Sequence, residues 1–313
     1  MIYRYLILVG LLLLVKFSSA QQNPHYTQYM YNMSLMNPAY AKEEDSKLSM
    51  GALYRTQWVG SVGGPKTGSF FGYVPLNEKI QIGATVVNDK IGDIVNETGA
   101  YIDFAYILKF EKAKLSFGLK GGANFYDTDF NNFVLVDANP DPTFANSISR
   151  VFPNVGIGAF YFTDKYYIGL SAPNLLKSKH TKEEDGIYTT GSEEIHYFAT
   201  AGYVFDITEN LKLKPTIMTK IVSGTPLSLD FTLNALINDK FEIGAAYRYK
   251  DAVSGLVNIR VLPQFRIGYA YDYTLTNLGN FNNGSHEFIL LYDLINLNKR
   301  NKIRGFDKSP RFF

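Results

Sequence analysis

The sequence predicts an all-β fold: a transmembrane antiparallel β-barrel of about fourteen strands with an N-terminal plug-like segment. Three observations carry the prediction. Side chains alternate in character along many short segments, no helix-period stretch is long enough to cover them, and short connections alternate with long ones. The alternation is plainest at Phe265, Ile267, Tyr269, Tyr271 and Tyr273, which are separated by Arg266, Gly268, Ala270 and Asp272. Strand side chains point to opposite faces in turn, so one face here is apolar and aromatic and the other small or charged. Phe241, Ile243, Ala245, Tyr247 and Tyr249 repeat the pattern against Glu242, Gly244, Ala246 and Arg248, and Leu229, Phe231 and Leu233 repeat it against Asp230, Thr232 and Asn234. A soluble antiparallel sheet would need a second layer over its apolar face. Without one, the remaining arrangement is a closed barrel with lipid outside and a polar lumen inside.

The first residues agree with export. Arg4, an apolar run over 6–15 and Ser18-Ser19-Ala20 form a secretory leader, with cleavage predicted after Ala20. The run is too short to span a bilayer, and no later stretch is apolar for long enough. The predicted organisation is therefore 1–20 signal peptide, 21–45 N-terminal periplasmic or plug segment, 46–295 transmembrane barrel and 296–313 basic periplasmic tail. Cysteine is absent, which excludes a disulfide framework and a lipid-anchored lipoprotein. The 31 Lys and Arg against 29 Asp and Glu are near balance, and this argues against nucleic acid as a partner.

Taken in order, residues 21–45 are too aromatic for a loose tail and too irregular for a strand. They read as a short helix or turn folded into, or across, the periplasmic mouth. Strands follow over 47–58, 66–74, 79–87, 99–110, 114–126, 151–162, 166–172, 194–205, 211–221, 226–236, 241–249, 255–262, 265–274 and 286–294. The connections 75–78, 111–113, 164–165, 206–210, 238–240 and 263–264, all after even strands, are tight. The long ones, 88–98, 127–150, 173–193 and 275–285, follow odd strands. That asymmetry is the outer-membrane pattern, and it places both termini in the periplasm. Glycines such as Gly118, Gly156, Gly158, Gly169, Gly244 and Gly268 fall on the non-lipid face, where they mark bends or something packed inside. Past the last strand, Lys299, Arg300, Lys302, Arg304, Lys308 and Arg311 stand against Asp307 alone, and the tail reads either as a solvated extension or as a docking segment.

Catalytic chemistry finds little support. The four histidines, His25, His180, His196 and His286, show no ligand spacing, so no metal site and no cofactor are predicted. No Gly-x-Ser-x-Gly elbow is present. Gly156-Ile157-Gly158 lies inside an alternating strand and lacks the helix that a nucleotide loop requires. The acidic runs Glu43-Glu44-Asp45 and Glu183-Glu184-Asp185 read as solvated loops, with weak calcium binding as the sharper option. An enzyme would need a constellation that these residues do not supply.

The site expectations are positional. Asn37, Pro38, Ala39 and Tyr40 shape the plug. Arg55, Gln57 and Trp58 end the first strand near the outer rim, where Asn88 and Asp89 also lie, and these five are candidate partner contacts or, for Trp58, an interfacial anchor. Arg55, Asp103, Lys120, Asp230, Glu242, Arg248, Arg260, Arg266 and Asp272 face the lumen. Hairpin register about the 238–240 turn sets Asp230 beside Arg248 as a lumen ion pair. Paired charges filling the interior are one reading and a channel lining the other.

Several ordered motifs resemble one family. Gln22-Asn23-Pro24-His25-Tyr26-Thr27-Gln28-Tyr29 with Asn37-Pro38-Ala39-Tyr40-Ala41, then Arg55-Thr56-Gln57-Trp58, Gly64-Pro65, Asn88-Asp89, Pro153-Asn154-Val155-Gly156-Ile157-Gly158 and Pro173-Asn174-Leu175 are similar to the PorP/SprF outer-membrane proteins of Bacteroidota. Lys42 departs from the glycine usual at that point. The resemblance implies a non-enzymatic outer-membrane barrel in lipid that works with type IX secretion and gliding components on the periplasmic side. It further implies support for the export or surface retention of one large protein such as an adhesin, through that cargo's C-terminal region. The rival reading is a passive transporter of hydrophobic molecules similar to the FadL-type barrels.

Overall fold

The computed structural model describes residues 24–40, 46–129, 147–179, 182–184, 187–189 and 192–295. The predicted leader, Lys42, the run Glu43-Glu44-Asp45, His180, Asp185 and the basic tail lie outside these residues. No helix among the described residues is long and apolar enough to cross a membrane, and crossing falls to strands.

Fourteen antiparallel strands close into a barrel. In chain order they are β1 (Ser46–Thr56), β2 (Lys66–Pro75), β3 (Ile80–Ile91), β4 (Val95–Lys109), β5 (Lys114–Thr128), β6 (Ile148–Phe162) and β7 (Tyr166–Ala172). Then come β8 (His196–Tyr203, continued by Phe205–Thr208), β9 (Leu211–Val222), β10 (Ser228–Ile237), β11 (Phe241–Arg248), β12 (Ala252–Leu262), β13 (Phe265–Thr274) and β14 (Ser285–Ile295). Each strand pairs with its sequence neighbours, and β1 pairs with β14, Leu53 opposite Ile289, to seal the cylinder. In hydrocarbon no water can satisfy a bare backbone edge, so closure is obligatory.

The faces divide as the alternation requires. Phe70, Ile82, Ile102, Leu119, Ile157, Leu233 and Val257 are exposed on the outer wall, while Gln81, Asp103, Lys120, Asn234 and Asn258, from the alternate positions, are buried inside. In β13, Ile267 and Tyr273 are exposed while Arg266, Gly268, Ala270 and Asp272 are buried.

One expected connection is corrected. The stretch 88–98 is not a long loop, because the β3–β4 ladder continues through Asn88↔Thr98, Asp89↔Glu97 and Lys90↔Asn96 to Ile91↔Val95. Only 92–94 turn, with Gly92 in the left-handed region at φ 63°. The apolar alternation that reveals a strand stops where lipid stops, but the hydrogen-bonded ladder carries on into water. The other strands differ from expectation only at their ends. The connections after even strands remain short, and those of 129–147 and 173–195 are the longest on the opposite end.

The lumen also differs from a purely polar one. Phe71, Tyr73, Phe160, Phe162, Tyr167 and Phe198 point inward and form one buried cluster with Tyr26, Tyr29, Met30, Tyr31, Met33, Met36 and Tyr40 of the N-terminal segment. The apolar core therefore sits inside the cylinder, and nearly half of it comes from residues that precede β1.

Outward residues at mid-strand should tolerate charge poorly. Phe104→Arg, in the middle of the outer face of β4, is expected to cost about 2–4 kcal/mol, whereas Asp127→Arg, near the end of β5, should cost under about 1 kcal/mol. Urea unfolding in lipid vesicles measures both.

Candidate functional site

Residues 24–40 run lengthwise through the lumen. Pro24 and His25 line one cavity with Trp58, Arg248 and Ser285 from the long-loop ends of the strands, and His25 meets Lys220 near the end of β9. At the other end of the segment, the Tyr40 carbonyl accepts a bond from Gln81 Nε2 at 3.1 Å, near the start of β3. The segment expected to fold into, or across, one mouth of the barrel lies inside the lumen along its length. The described N-terminal residues enter at the long-loop end and descend to the short-turn end, where β1 begins. The reason is local: a 3-10 turn (Tyr29–Tyr31) and a short helix (Met33–Met36) bury side chains on all sides, which only the lumen can accommodate.

The upper part of the plug is held by charge. Glu287 of β14, fully buried, accepts the backbone N–H groups of Thr27 at 2.9 Å and Gln28 at 2.7 Å. Arg55 of β1 donates to Glu287 at 3.1 Å and to Asp272 of β13 at 2.6 Å. The Thr27 hydroxyl donates to Asp272 at 2.6 Å. One guanidinium and two carboxylates from adjacent strands thus grip two successive plug residues, an arrangement in which every buried charge has a partner. Above it, Lys220 donates to His25 Nε2. Burial, with the Lys220 ammonium close by, holds the His25 imidazole well below its usual range and so keeps it neutral.

The middle and lower plug is held by hydroxyls, amides and missing side chains. Tyr29 shares a hydrogen bond with Thr216, Tyr31 donates to Glu242, Asn32 donates to Ser69, and Ser171 donates to the Met36 carbonyl. Asn37 Nδ2 donates to the Ala159 carbonyl at 3.1 Å while its Oδ1 accepts from Ala39 N at 2.9 Å, which folds the Asn37-Pro38-Ala39 turn against β6. Gly118 and Gly158 make room for it, since a Cβ there would stand 2.1 Å from Ala39 N and 2.1 Å from Asn37 Oδ1 respectively. Tyr40 closes the stack edge-on to Phe160, with ring centroids 5.5 Å apart.

Above the plug, toward the long loops, is a vestibule of about 740 Å³. Pro24, His25 and Tyr26 contribute to its floor, and Asp89, Glu97, Tyr101, Asn154, Phe198 and Tyr249 to its walls.

The sequence-predicted residues separate into distinct places. Arg55 is buried in the plug clamp, not on the rim. Gln57 and Trp58 are half-buried and line the vestibule; Trp58 takes φ 51°, and its N–H donates to Ser285 Oγ. Asp89 faces the vestibule and accepts from Thr67 at 2.6 Å, whereas Asn88 points to the outer wall and donates to Asn96 and Thr98. Asp230 and Arg248 are direct partners across β10 and β11, 2.7 Å apart. Lys120 pairs with Asp103 at 2.8 Å. Two flagged motifs meet, since Asn154 donates to the Pro173 carbonyl and Leu175 N to that of Val155. Sequence reasoning missed Glu287, Thr27 and Gln28. The signal for Glu287 was available: it sits between His286 and Phe288 on the inward phase of β14.

The fold and its filled lumen define a plugged barrel of the outer membrane. Residues 18–292 match the profile of the type IX secretion system membrane protein PorP/SprF, and the chain belongs to that family. Membership makes it a non-catalytic component that acts with the secretion system, and among the described residues no group of His, Asp or Glu could hold a metal ion. In fold the chain is similar to the Ralstonia pickettii toluene transporter TbuX, with 11% identity and a TM-score of 0.52 over 84% of this chain and 93% of that one. It is likewise similar to the Pseudomonas putida toluene transporter TodX, with 12% identity and a TM-score of 0.52 over 84% and 93%. No curated protein matches it in sequence.

The clamp and the glycine seats should both be measurable. Arg55→Ala leaves two buried carboxylates without their cation and is expected to cost about 3–5 kcal/mol. Gly118→Val overpacks the Ala39 seat and should cost about 1–3 kcal/mol. Both should make residues 24–40 sensitive to protease in detergent-solubilised protein. Gly121→Ala, with nothing within 4 Å of its added Cβ, should change neither stability nor cleavage.

Proposed function

We propose that the barrel supports secretion and surface retention of a cognate large surface protein, an adhesin, by holding a segment from that cargo's C-terminal region in the vestibule. Family membership supplies the secretion system. The observation that carries the rest is a roomy vestibule, about 740 Å³, floored by the protein's own plug. Gln57, Trp58 and Asp89 are the vestibule residues assigned to cargo. Long loops face outward, and the short turns, with the end of β14 and the basic tail at 296–313, meet the secretion components in the periplasm.

Hydrocarbon transport is the second reading, and the likeness to two toluene transporters favours it at the level of fold. Beside Val87, Ile91, Phe198 and Leu227, the vestibule also carries Asp89, Glu97 and Asp251, and these charges speak mildly against an apolar cargo.

A deletion strain should lose one large protein from its surface proteome, and Trp58→Ala combined with Asp89→Ala should release that protein into the medium while the barrel remains in the membrane. An unchanged surface proteome and unchanged motility would count against cargo support. Saturable uptake of toluene or fatty acid into liposomes holding the purified protein would favour the transporter.

A further inference from the structure

The outer wall carries one charged feature that the plug and vestibule do not use. Lys66 on β2 and Lys90 on β3 are direct cross-strand partners, and both are exposed. Both belong to the outward phase of their strands, the phase of Phe70, Val74, Ile82 and Val86. Like charges directly opposite each other weaken a ladder. Neither lysine makes an ion pair among the described residues. The row continues on both sides with Thr56, the partner of Lys66, and Asn96, the partner of Lys90, and beyond Asn96 it ends on the exposed carboxylate of Asp127. Asn88 occupies the acceptor oxygen of Asn96, so what Asn96 has left to present is its amide donor.

The height of this row on the wall identifies its ligand. Phe70 lies four residues below Lys66, and Val86 four residues below Lys90, a drop of roughly 13 Å along the strand. Tyr54 and Ile102 extend the same apolar band on β1 and β4. Ammonium groups thus sit just above the rim of the lipid-facing belt, at the level of headgroups. Outward residues near the same end of other strands, Tyr197, Tyr249, Val253 and Tyr273, are uncharged, and Asp127 of β5, opposite Asn96, is an exposed carboxylate, so the two lysines mark a cationic sector that Asp127 bounds on one side. Clustered basic side chains at that depth recognise anionic lipid surfaces.

We propose that Lys66 and Lys90, flanked by Thr56 and Asn96, form a binding site for the phosphate of an outer-leaflet glycolipid whose acyl chains lie along Phe70 and Val86. The site rests on the reading that the long-loop end faces outward. The shared chemistry is a phosphate group, either borne on lipid or free.

Native mass spectrometry of the full chain in detergent tests it, with bis-phosphorylated lipid A, dephosphorylated lipid A and inorganic phosphate as separate probes. The bis-phosphorylated lipid should be retained, its dephosphorylated form should not, and millimolar inorganic phosphate should fail to displace it. Lys66→Gln with Lys90→Gln should weaken retention about 25-fold, the product of two basic residues worth roughly fivefold each at an anionic surface. Equal retention by wild type and double variant overturns the site, as does ready displacement by inorganic phosphate, which would make free phosphate the ligand. Orientation is tested separately with Lys66→Cys, the single thiol in a chain that has 0 cysteines, and a membrane-impermeant maleimide on intact cells. Labelling on intact cells supports the outward reading, so that a failed lipid test then condemns the site alone. Labelling only after lysis overturns the orientation and the site with it.

Discussion

A backbone in hydrocarbon cannot leave an N–H or C=O unpaired, and every other feature of this protein follows from meeting that requirement. With no spanning helix among the described residues, the strands must pair all the way round, and the β1–β14 seam completes the ring. Closing a ring this wide creates an interior that its own inward side chains do not fill. The chain that precedes β1 fills the space instead. Its tyrosines and methionines meet Phe71, Tyr73, Phe160 and Tyr167, and its backbone meets Glu287.

Filling from within explains an arrangement that would otherwise be costly. Arg55, Asp272 and Glu287 are buried charges, and such a group destabilises a structure unless it is paired and hydrogen-bonded. Here the plug supplies the missing donors, two backbone amides and one hydroxyl. The ion network is therefore complete only when the plug is seated, and the plug is fixed only when the network is formed. The vestibule above inherits a rigid floor from this mutual dependence.

Much of the fold was legible because the lipid writes a strong signal into the sequence. Every strand that touches hydrocarbon announces itself through residues such as Phe231, Leu233, Ile243 and Ile267 at alternate positions. Where water replaces lipid the signal fades, and the polar ends of β3 and β4, Asn88 to Lys90 and Asn96 to Thr98, read as a loop although their backbone ladder is intact. The interior was harder still. Asn37-Pro38-Ala39-Tyr40 could be recognised as a plug motif, and glycines such as Gly118 and Gly158 as seats, because both are compositional. The direction in which the plug threads the lumen is not. It depends on Thr27 finding Asp272 and Glu287, residues more than two hundred positions away, and no local pattern encodes such a pairing.

That separation has a consequence for assembly. The clamp that holds the beginning of the chain is carried by β13 and β14, the last strands to be synthesised, and its cation by β1, on the far side of the final seam. The seated segment donates to carboxylates on both of those strands, so plug and seam stabilise each other. A cylinder that shut while empty would strand two carboxylates and a guanidinium around a hollow, so sealing and corking favour each other energetically.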